Sequence, residues 1–261
     1  MTSKAVWITG AGGFVGGWLL KSLAAAGRPA AALVRKRVCK RLEVPSTPLD
    51  LVKAALAAPG DGVADLGSLP EPGALIHLAA LSHPGDCERN PQRARLVNGV
   101  GVARLFDQCF RRWPELPILF VSSGQVYRPG PEPLGEAAPV EPRNVYAATK
   151  LHGEAVALGF RDRGHPALVV RPFNHSGPGQ AARFALPSFA LRLARLEKEG
   201  GGWLAVGNLA AVRDFLHVRQ VVDAYLDLLP HAGEADVVNV CSGQGVRIGE
   251  LLEGLVARTR A

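Results

Sequence analysis

The feature that most restricts the fold is a glycine-rich turn between a short apolar run and a helical pattern. Ala5–Thr9 is typical of a buried strand, and Thr9-Gly10-Ala11-Gly12-Gly13-Phe14-Val15-Gly16 follows it and opens a helix through about residue 26. Gly10 permits a tight turn, Gly13 lets the backbone approach a pyrophosphate, and Gly16 lets the helix pack closely on the strand. The order of strand, turn and helix therefore predicts dinucleotide binding rather than an ordinary glycine-rich turn.

Short apolar runs continue to alternate with helical patterns along the chain. The further strands are predicted at 30–34, 74–78, 118–121 and 167–170, and long helices at 93–112 and 144–160. Continuous apolar strands separated by helices indicate a parallel sheet that is covered on both faces. We predict an α/β fold, a doubly wound parallel sheet (an NAD(P)-binding Rossmann fold) over residues 1–171. Proline and glycine become more frequent after Pro172, and the predicted elements become shorter. We therefore predict a smaller C-terminal substrate-binding lobe, residues 172–261, that is interleaved with the end of the sheet.

Composition and charge exclude several classes of protein. With 48% apolar and 20% charged residues the chain can bury a full core, and it is too apolar for a disordered protein. No apolar run is long enough for a membrane span, and Met1-Thr2-Ser3-Lys4 does not begin a signal peptide. The cysteines lie far apart without metal-ligand spacing, so we expect a cytoplasmic protein without a metal site; they are Cys39, Cys87, Cys109 and Cys241.

The net charge of +7 would also suit a nucleic acid partner. Only 6% of the residues are aromatic, however, and they are not interleaved with the basic residues. No platform for stacked bases is visible. We therefore expect a small phosphorylated ligand and no nucleic acid.

The basic residue Arg35, 19 positions after Gly16, indicates which nucleotide binds. An acidic residue there would accept hydrogen bonds from a ribose 2′-hydroxyl, whereas Arg35, with Lys36 and Arg37 behind it, attracts a 2′-phosphate. The sequence thus favours NADP, with NAD as the alternative; the same charges could also be a solvated loop. Asp65-Leu66 could flank the adenine ring, with the carboxylate accepting a hydrogen bond from the adenine amino group.

Tyr146 and Lys150 are four residues apart and therefore share one face of a predicted helix. A neighbouring ammonium is expected to lower the pKa of the phenol from about 10 and to make it a usable general acid or base. Upstream, Ser123 follows a strand at the edge where open α/β sheets place ligand chemistry. Its hydroxyl could bond the substrate oxygen that Tyr146 protonates. His77 and His217 lie in apolar runs and are interpreted as core histidines.

These motifs together resemble the extended short-chain dehydrogenase/reductase family (NAD-dependent epimerases and dehydratases) that acts on nucleotide sugars. Within it, the segments 171–180, 207–209, 212–219 and 239–243 are similar to those of GDP-4-keto-6-deoxy-mannose reductases, and less closely to those of GDP-mannose 4,6-dehydratases. The resemblance covers essentially the whole chain.

The resemblance also implies roles for individual residues of this chain. Ser123, Tyr146 and Lys150 would be catalytic, and Ser123 would also contact the substrate. The residues implied to bind the cofactor are Gly10, Gly13, Phe14, Val15, Gly16, Arg35, Asp65, Leu66, Leu78, Ala79, Ala80, Tyr146, Lys150 and His175. Those implied to bind the nucleotide diphosphate of the substrate are Asn174, Arg183 and Arg213. Family members pair as homodimers through the two long helices, so we expect a homodimer.

Three functions remain open at this point. The first is an NADP-dependent reductase of the C4 ketone in a GDP-4-keto-6-deoxy-hexose, with Tyr146 as proton donor. The second is a nucleotide-sugar 4-epimerase that retains NAD, and the third, disfavoured by the intact Ser, Tyr and Lys, is a dinucleotide-sensing binding protein. Dehydration is not expected, because the family's 4,6-dehydratases carry an acidic residue where this chain has Gln125, and an amide is not a base at pH 7.

Overall fold

The structure, a computed structural model, describes residues 4–35, 44–58 and 61–259. The described strands are β1 (Ala5–Thr9), β2 (Ala30–Val34), β3 (Ser46–Pro48), β4 (Pro72–His77), β5 (Ile118–Val121), β6 (Ala167–Pro172), β7 (Asn174–Ser176), β8 (Val212–His217), β9 (Val237–Val240) and β10 (Gly245–Arg247). The described helices are α1 (Phe14–Ala25), α2 (Leu51–Leu56), α3 (Pro84–Arg89), α4 (Pro91–Arg95), α5 (Gly101–Arg112), α6 (Val145–Arg161), α7 (Ala185–Glu199), α8 (Val218–Leu228) and α9 (Ile248–Val256). Among the described helices, none is long and apolar enough to cross a membrane.

Seven of the strands form one parallel sheet in the order β3-β2-β1-β4-β5-β6-β9. Every residue of β1, β2, β5 and β6 is buried, as expected where helices cover both faces of a parallel sheet. The core includes Trp7, Leu75, Phe106, Phe120 and Phe160. The predicted doubly wound α/β fold is confirmed. The order of the strands reverses between β1 and β4, which is where such sheets open a crevice for a ligand.

The contacts divide the chain into two compact units. The first consists of the described residues up to Pro172 together with Val222–Val240, and it holds the parallel sheet. The second consists of Phe173–Val221 and the described residues from Cys241 onward. In the second unit β8 pairs antiparallel with β10 and parallel with β7. The chain leaves the first unit after Pro172 and returns to it at Val222, before β9 joins the parallel sheet.

The helix predicted at 93–112 is not one regular helix. α4 ends at Arg95, and a single π-helical turn, Leu96–Val100, connects it to α5. The buried Asn98 lies in this turn, where its side chain accepts a hydrogen bond from the Leu81 backbone nitrogen (2.8 Å) and donates one to the Leu81 carbonyl oxygen (3.1 Å). These bonds explain the wider turn, since π-helical turns often place a side chain for a specific contact.

Candidate active site

The turn between β1 and α1 has no room for a side chain at two of its glycines. Gly10 has a φ of +69°, and a Cβ there would lie 2.9 Å from the Ala79 backbone nitrogen. A Cβ on Gly16 would lie 2.5 Å from the carbonyl oxygen of Gly10 and 2.6 Å from Cα of Ala11. α1 begins at Phe14 with no side-chain cap and no acidic residue in its first turn. This close-packed turn at a helix N-terminus fits the pyrophosphate of a dinucleotide.

The other residues predicted to hold the cofactor follow β2 and β4. Arg35 is exposed directly after β2, whereas Lys36 and Arg37 lie outside the described residues. Leu78, Ala79 and Ala80 are partly buried directly after β4, and the Ala79 backbone nitrogen donates to Thr9 Oγ1 at 3.0 Å.

The pair predicted to flank adenine is split between surface and core. The Asp65 carboxylate belongs to an exposed residue. The Leu66 side chain lies in the hydrophobic core at 3% exposure. Only the backbone of Leu66 is therefore placed for a ligand outside the core.

Ser123, Tyr146 and Lys150 come together at the carboxyl end of β5. Ser123 begins a 3₁₀ turn after this strand, where its hydroxyl accepts a hydrogen bond from the Gln125 backbone nitrogen (3.2 Å). Ser123 is also close enough to the Tyr146 phenol to lower the pKa of that group. Lys150 lies one turn further along α6, almost completely buried, with its ammonium 4.6 Å from the centre of the Phe120 ring.

The start of α6 is fixed by groups that the sequence analysis did not identify. The side chain of Asn144 caps the helix by accepting from the Ala147 backbone nitrogen at 2.8 Å, and its amide donates to Gln125 Oε1 at 3.3 Å. The Glu88 carboxylate accepts from the Val145 backbone nitrogen at 2.8 Å. An asparagine before a helical pattern is a recognised cap signal and could have been found. The bond from Glu88 joins distant segments, so no local pattern reveals it.

The sequence analysis predicts a lowered pKa for Tyr146, and this prediction is wrong for the protein without bound cofactor. Burial raises the pKa of Tyr146 to about 12, and the polar Ser123 side chain only partly opposes this effect. Burial lowers the pKa of Lys150 to about 8, although the Glu154 carboxylate acts in the other direction. Spacing shows that an ammonium is near, but it does not show how completely both groups are removed from water. The phenol is therefore held in its protonated form at neutral pH.

His77, interpreted as a core histidine, is fully buried in β4. Its Nδ1 lies 3.0 Å from Thr9 Oγ1, and among the described residues its Nε2 has no hydrogen-bond partner. Burial and the Lys150 ammonium lower the pKa of His77 to about 3. The second assignment is wrong, because His217 is exposed and its Nδ1 accepts from the Arg219 backbone nitrogen. His217 is the last residue of β8, so its side chain is exposed although its neighbours in the sequence are apolar.

We expect acid to destabilise the protein through His77. Between pH 6.5 and about 3 the unfolded chain binds a proton at this residue that the folded chain does not. The free energy of unfolding therefore falls as the pH falls through this window, by up to about 1.4 kcal/mol per pH unit. Urea unfolding at several pH values should give a smaller slope for His77→Asn than for the wild type. Equal slopes for wild type and His77→Asn would contradict the expectation.

The second unit holds the residues predicted to bind the substrate and the end of the cofactor. The Asn174 amide donates to the Asp214 carbonyl oxygen (3.1 Å), and His175 Nδ1 lies 3.0 Å from the Phe173 carbonyl oxygen. Arg183 and Arg213 are exposed. The Asp214 carboxylate accepts from the backbone nitrogens of Ser242 and Gln244, which fixes the chain between β9 and β10. In the described part of the chain, no group of three or more His, Cys, Asp or Glu side chains could hold a metal ion.

Comparisons with known proteins agree with this geometry. The model of a family described as "NAD dependent epimerase/dehydratase family" matches residues 6–241. GDP-6-deoxy-D-mannose reductase from Pseudomonas aeruginosa is 38% identical over 258 residues, which cover 96% of this chain and 79% of that protein. UDP-glucose 4-epimerase from Mycolicibacterium smegmatis is 30% identical over 262 residues, which cover 94% of this chain and 79% of that protein.

A solved structure described as RMD from Pseudomonas aeruginosa complexed with NADPH is also similar. It matches with a TM-score of 0.80 at 38% sequence identity, over 96% of this chain and 80% of that one. The relatives in these comparisons are enzymes, and so is this chain.

Proposed function

The chain belongs to the NAD dependent epimerase/dehydratase family, and from this premise we propose that it reduces the C4 ketone of a GDP-4-keto-6-deoxy-hexose with NADPH. The observation that carries the proposal is the placement of Ser123 after β5, in the 3₁₀ turn that packs against α6, with the buried Lys150 on α6 one turn after Tyr146. The similarity over nearly the whole chain to a GDP-6-deoxy-D-mannose reductase supports this substrate class.

The proton donor in this reaction is Tyr146. When bound, the nicotinamide nucleotide supplies the hydride that adds to the ketone carbon. Negative charge then develops on the ketone oxygen, and a phenol that is still protonated at neutral pH can donate to it. Ser123 would donate a second hydrogen bond to the same oxygen. The phenol is thus in the protonated form that reduction requires, although its raised pKa makes it a weaker acid than a free phenol.

The shape of the turn after β1 supports the assignment of the residues that would hold the cofactor. Gly10 permits the tight turn, and Gly16 permits its close packing against α1, whose N-terminus has no side-chain cap and would face the pyrophosphate. Arg35 would contact the 2′-phosphate, and Lys150 would bind the nicotinamide ribose. Asn174, Arg183 and Arg213 would bind the nucleotide diphosphate of the substrate, with the second unit as the substrate-binding lobe.

Gln125 argues against dehydration at this site. It occupies the position of the acidic residue in the family's 4,6-dehydratases, and its side-chain oxygen accepts a hydrogen bond from Asn144. An amide neither removes nor returns a proton at neutral pH. This chain therefore has the groups for a single proton transfer after hydride addition, and it lacks the additional base that elimination of water requires.

The proposed reaction is tested by mixing the purified protein with NADPH and GDP-4-keto-6-deoxy-mannose. Absorbance at the nicotinamide band should fall only when both are present, and a GDP-6-deoxy-hexose should form. Failure to oxidise NADPH with this or any other 4-keto nucleotide sugar would overturn the proposal.

A second candidate is a nucleotide-sugar 4-epimerase that retains NAD. It is favoured by the 30% identity to a UDP-glucose 4-epimerase over 94% of this chain. An epimerase would purify with NAD bound and convert its substrate without added cofactor. Denaturing the purified protein and identifying the released nucleotide by mass spectrometry separates the two candidates.

Arg35 should decide the preference between the two nucleotides. Arg35→Ser is expected to weaken NADPH binding by roughly 10- to 100-fold, because hydrogen bonds to a charged group contribute about 1.5–3 kcal/mol. NADH has no 2′-phosphate, so its affinity should not change. Nucleotide fluorescence titrations measure both affinities, and a parallel loss of NADH affinity would show that Arg35 does not recognise the phosphate.

A further inference from the structure

A buried carboxylate lies under the active-site residues, outside every role assigned above. Glu154 is 1% exposed, and its oxygens accept hydrogen bonds from Arg171 Nε (3.0 Å) and Arg171 Nη2 (2.6 Å). Ser122 is 2% exposed, and its hydroxyl donates to the same carboxylate. Replacing a buried ion pair by apolar groups is often neutral or even stabilising. Stability alone therefore gives a poor reason for these three polar groups to be buried together.

The carboxylate connects directly to the segment that carries Ser123. Ser122 is the preceding residue, and its backbone nitrogen donates to the Val170 carbonyl oxygen (2.7 Å) while its side chain donates to Glu154. Arg171 follows Val170 on β6. The end of β5 is thus held from the neighbouring strand and from α6 at once. A shift of the Glu154 carboxylate would move the backbone from which the Ser123 hydroxyl projects.

The same carboxylate lies one helical turn after Lys150 on α6. Burial removes the Lys150 ammonium from water, which lowers its pKa, and the Glu154 charge acts against that effect. Three titratable groups interact with Lys150: Cys87 of α3, His77 of β4 and Glu154 of α6. Arg171 of β6 lies behind Glu154 as its ion-pair partner. Of these, Glu154 is the carboxylate, so it is the group that can favour the ammonium near neutral pH.

We propose that Glu154 is a positioning residue of the active site, which fixes the end of β5 through Ser122 and keeps Lys150 charged through its own negative charge. Its importance for turnover rests on the proposed function, whereas its effect on Lys150 does not. Glu154 contacts neither substrate nor cofactor in this scheme.

The first test is an NMR titration that needs no turnover. The Cε resonance of Lys150, assigned with Lys150→Met, is followed against pH in the wild type and in Glu154→Gln. The midpoint should fall by at least about one pH unit, because an opposite charge close to a titrating group shifts its pKa by roughly that much or more. Glu141→Gln, which removes an exposed carboxylate paired with Arg128 and Arg143, should leave the midpoint where it is. An unchanged midpoint in Glu154→Gln would overturn the proposal.

Glu154→Gln leaves the Arg171 charge buried without its partner and could fail to fold. The double variant Glu154→Leu/Arg171→Met removes both charges and gives a second protein in which the Lys150 midpoint should also fall. A wild-type midpoint in the double variant would equally overturn the proposal. This outcome differs from failure of the proposed function, in which the wild type does not oxidise NADPH whatever the titration shows.

The second test is the pH profile of NADPH oxidation in a folded variant. A variant without the Glu154 charge should be slower than the wild type at pH 8. Much of its rate should return at lower pH, where Lys150 regains its proton. A purely structural role would lower the rate by the same factor at every pH, and that result would contradict the electrostatic part of the proposal.

Discussion

Tyr146→Phe is expected to lower kcat for NADPH oxidation by roughly 10²- to 10⁴-fold, the usual contribution of a positioned general acid. The substitution removes the O–H that is proposed to protonate the ketone oxygen, and it keeps the ring. Cofactor affinity should change much less than turnover, because in the proposed complex the nucleotide is held mainly by the turn after β1. Stopped-flow measurement of NADPH oxidation, with NADPH fluorescence for binding, separates the two effects.

Tyr127→Phe is the matched control for this substitution. The Tyr127 phenol is also buried, but it donates to Asn239 Oδ1 at 2.8 Å. Its loss should cost about 1 kcal/mol of stability and leave turnover in place. A Tyr146→Phe protein that turns over at the wild-type rate would exclude Tyr146 as the proton donor.

Gly16→Ala is expected to destabilise the protein by about 1–3 kcal/mol and to weaken cofactor binding. The new Cβ would lie 2.5 Å from the Gly10 carbonyl oxygen, so either the turn or α1 must move, and overpacking of this kind has costs in that range. Because the cradle for the pyrophosphate moves with the turn, NADPH affinity should fall together with stability. Urea unfolding and NADPH titration measure the two losses on the same protein.

The neighbouring glycine of the same helix provides the control. A Cβ on Gly17 would meet nothing within 4 Å, and Gly17→Ala should stabilise α1 by about 0.5–1 kcal/mol, since alanine is the better helix former. Cofactor affinity should be unchanged. Equal effects of the two substitutions would mean that the close packing of Gly16 on the turn does not matter for binding.

The sequence predicts those parts of the molecule that local patterns determine. The limits of β1 and β2 follow from apolar runs that end at glycine or charge, and the position of Ser123 at the end of β5 follows from the run before it. The helix predicted at 144–160 is Val145–Arg161 in the structure, within one residue at each end, because an apolar stripe marks its length.

Other features depend on contacts between distant residues. The π-helical turn at Asn98 arises from its bonds to Leu81, which a helical period does not contain. The return of Val237–Val240 to the edge of the main sheet is a matter of topology rather than of local propensity. The spacing of Lys150 and Glu154 was visible as a pair four residues apart, but only the structure shows that the carboxylate is buried against Arg171.

In the proposed reaction, hydride adds to a ketone carbon at the Ser123–Tyr146–Lys150 site. The most direct measurement uses NADPH carrying deuterium in place of the transferred hydrogen, GDP-4-keto-6-deoxy-mannose, and mass spectrometry of the product. We predict one deuterium at C4 of the GDP-6-deoxy-hexose and an equal amount of NADP⁺. A product formed without deuterium, or without oxidation of the added NADPH, would contradict the claim.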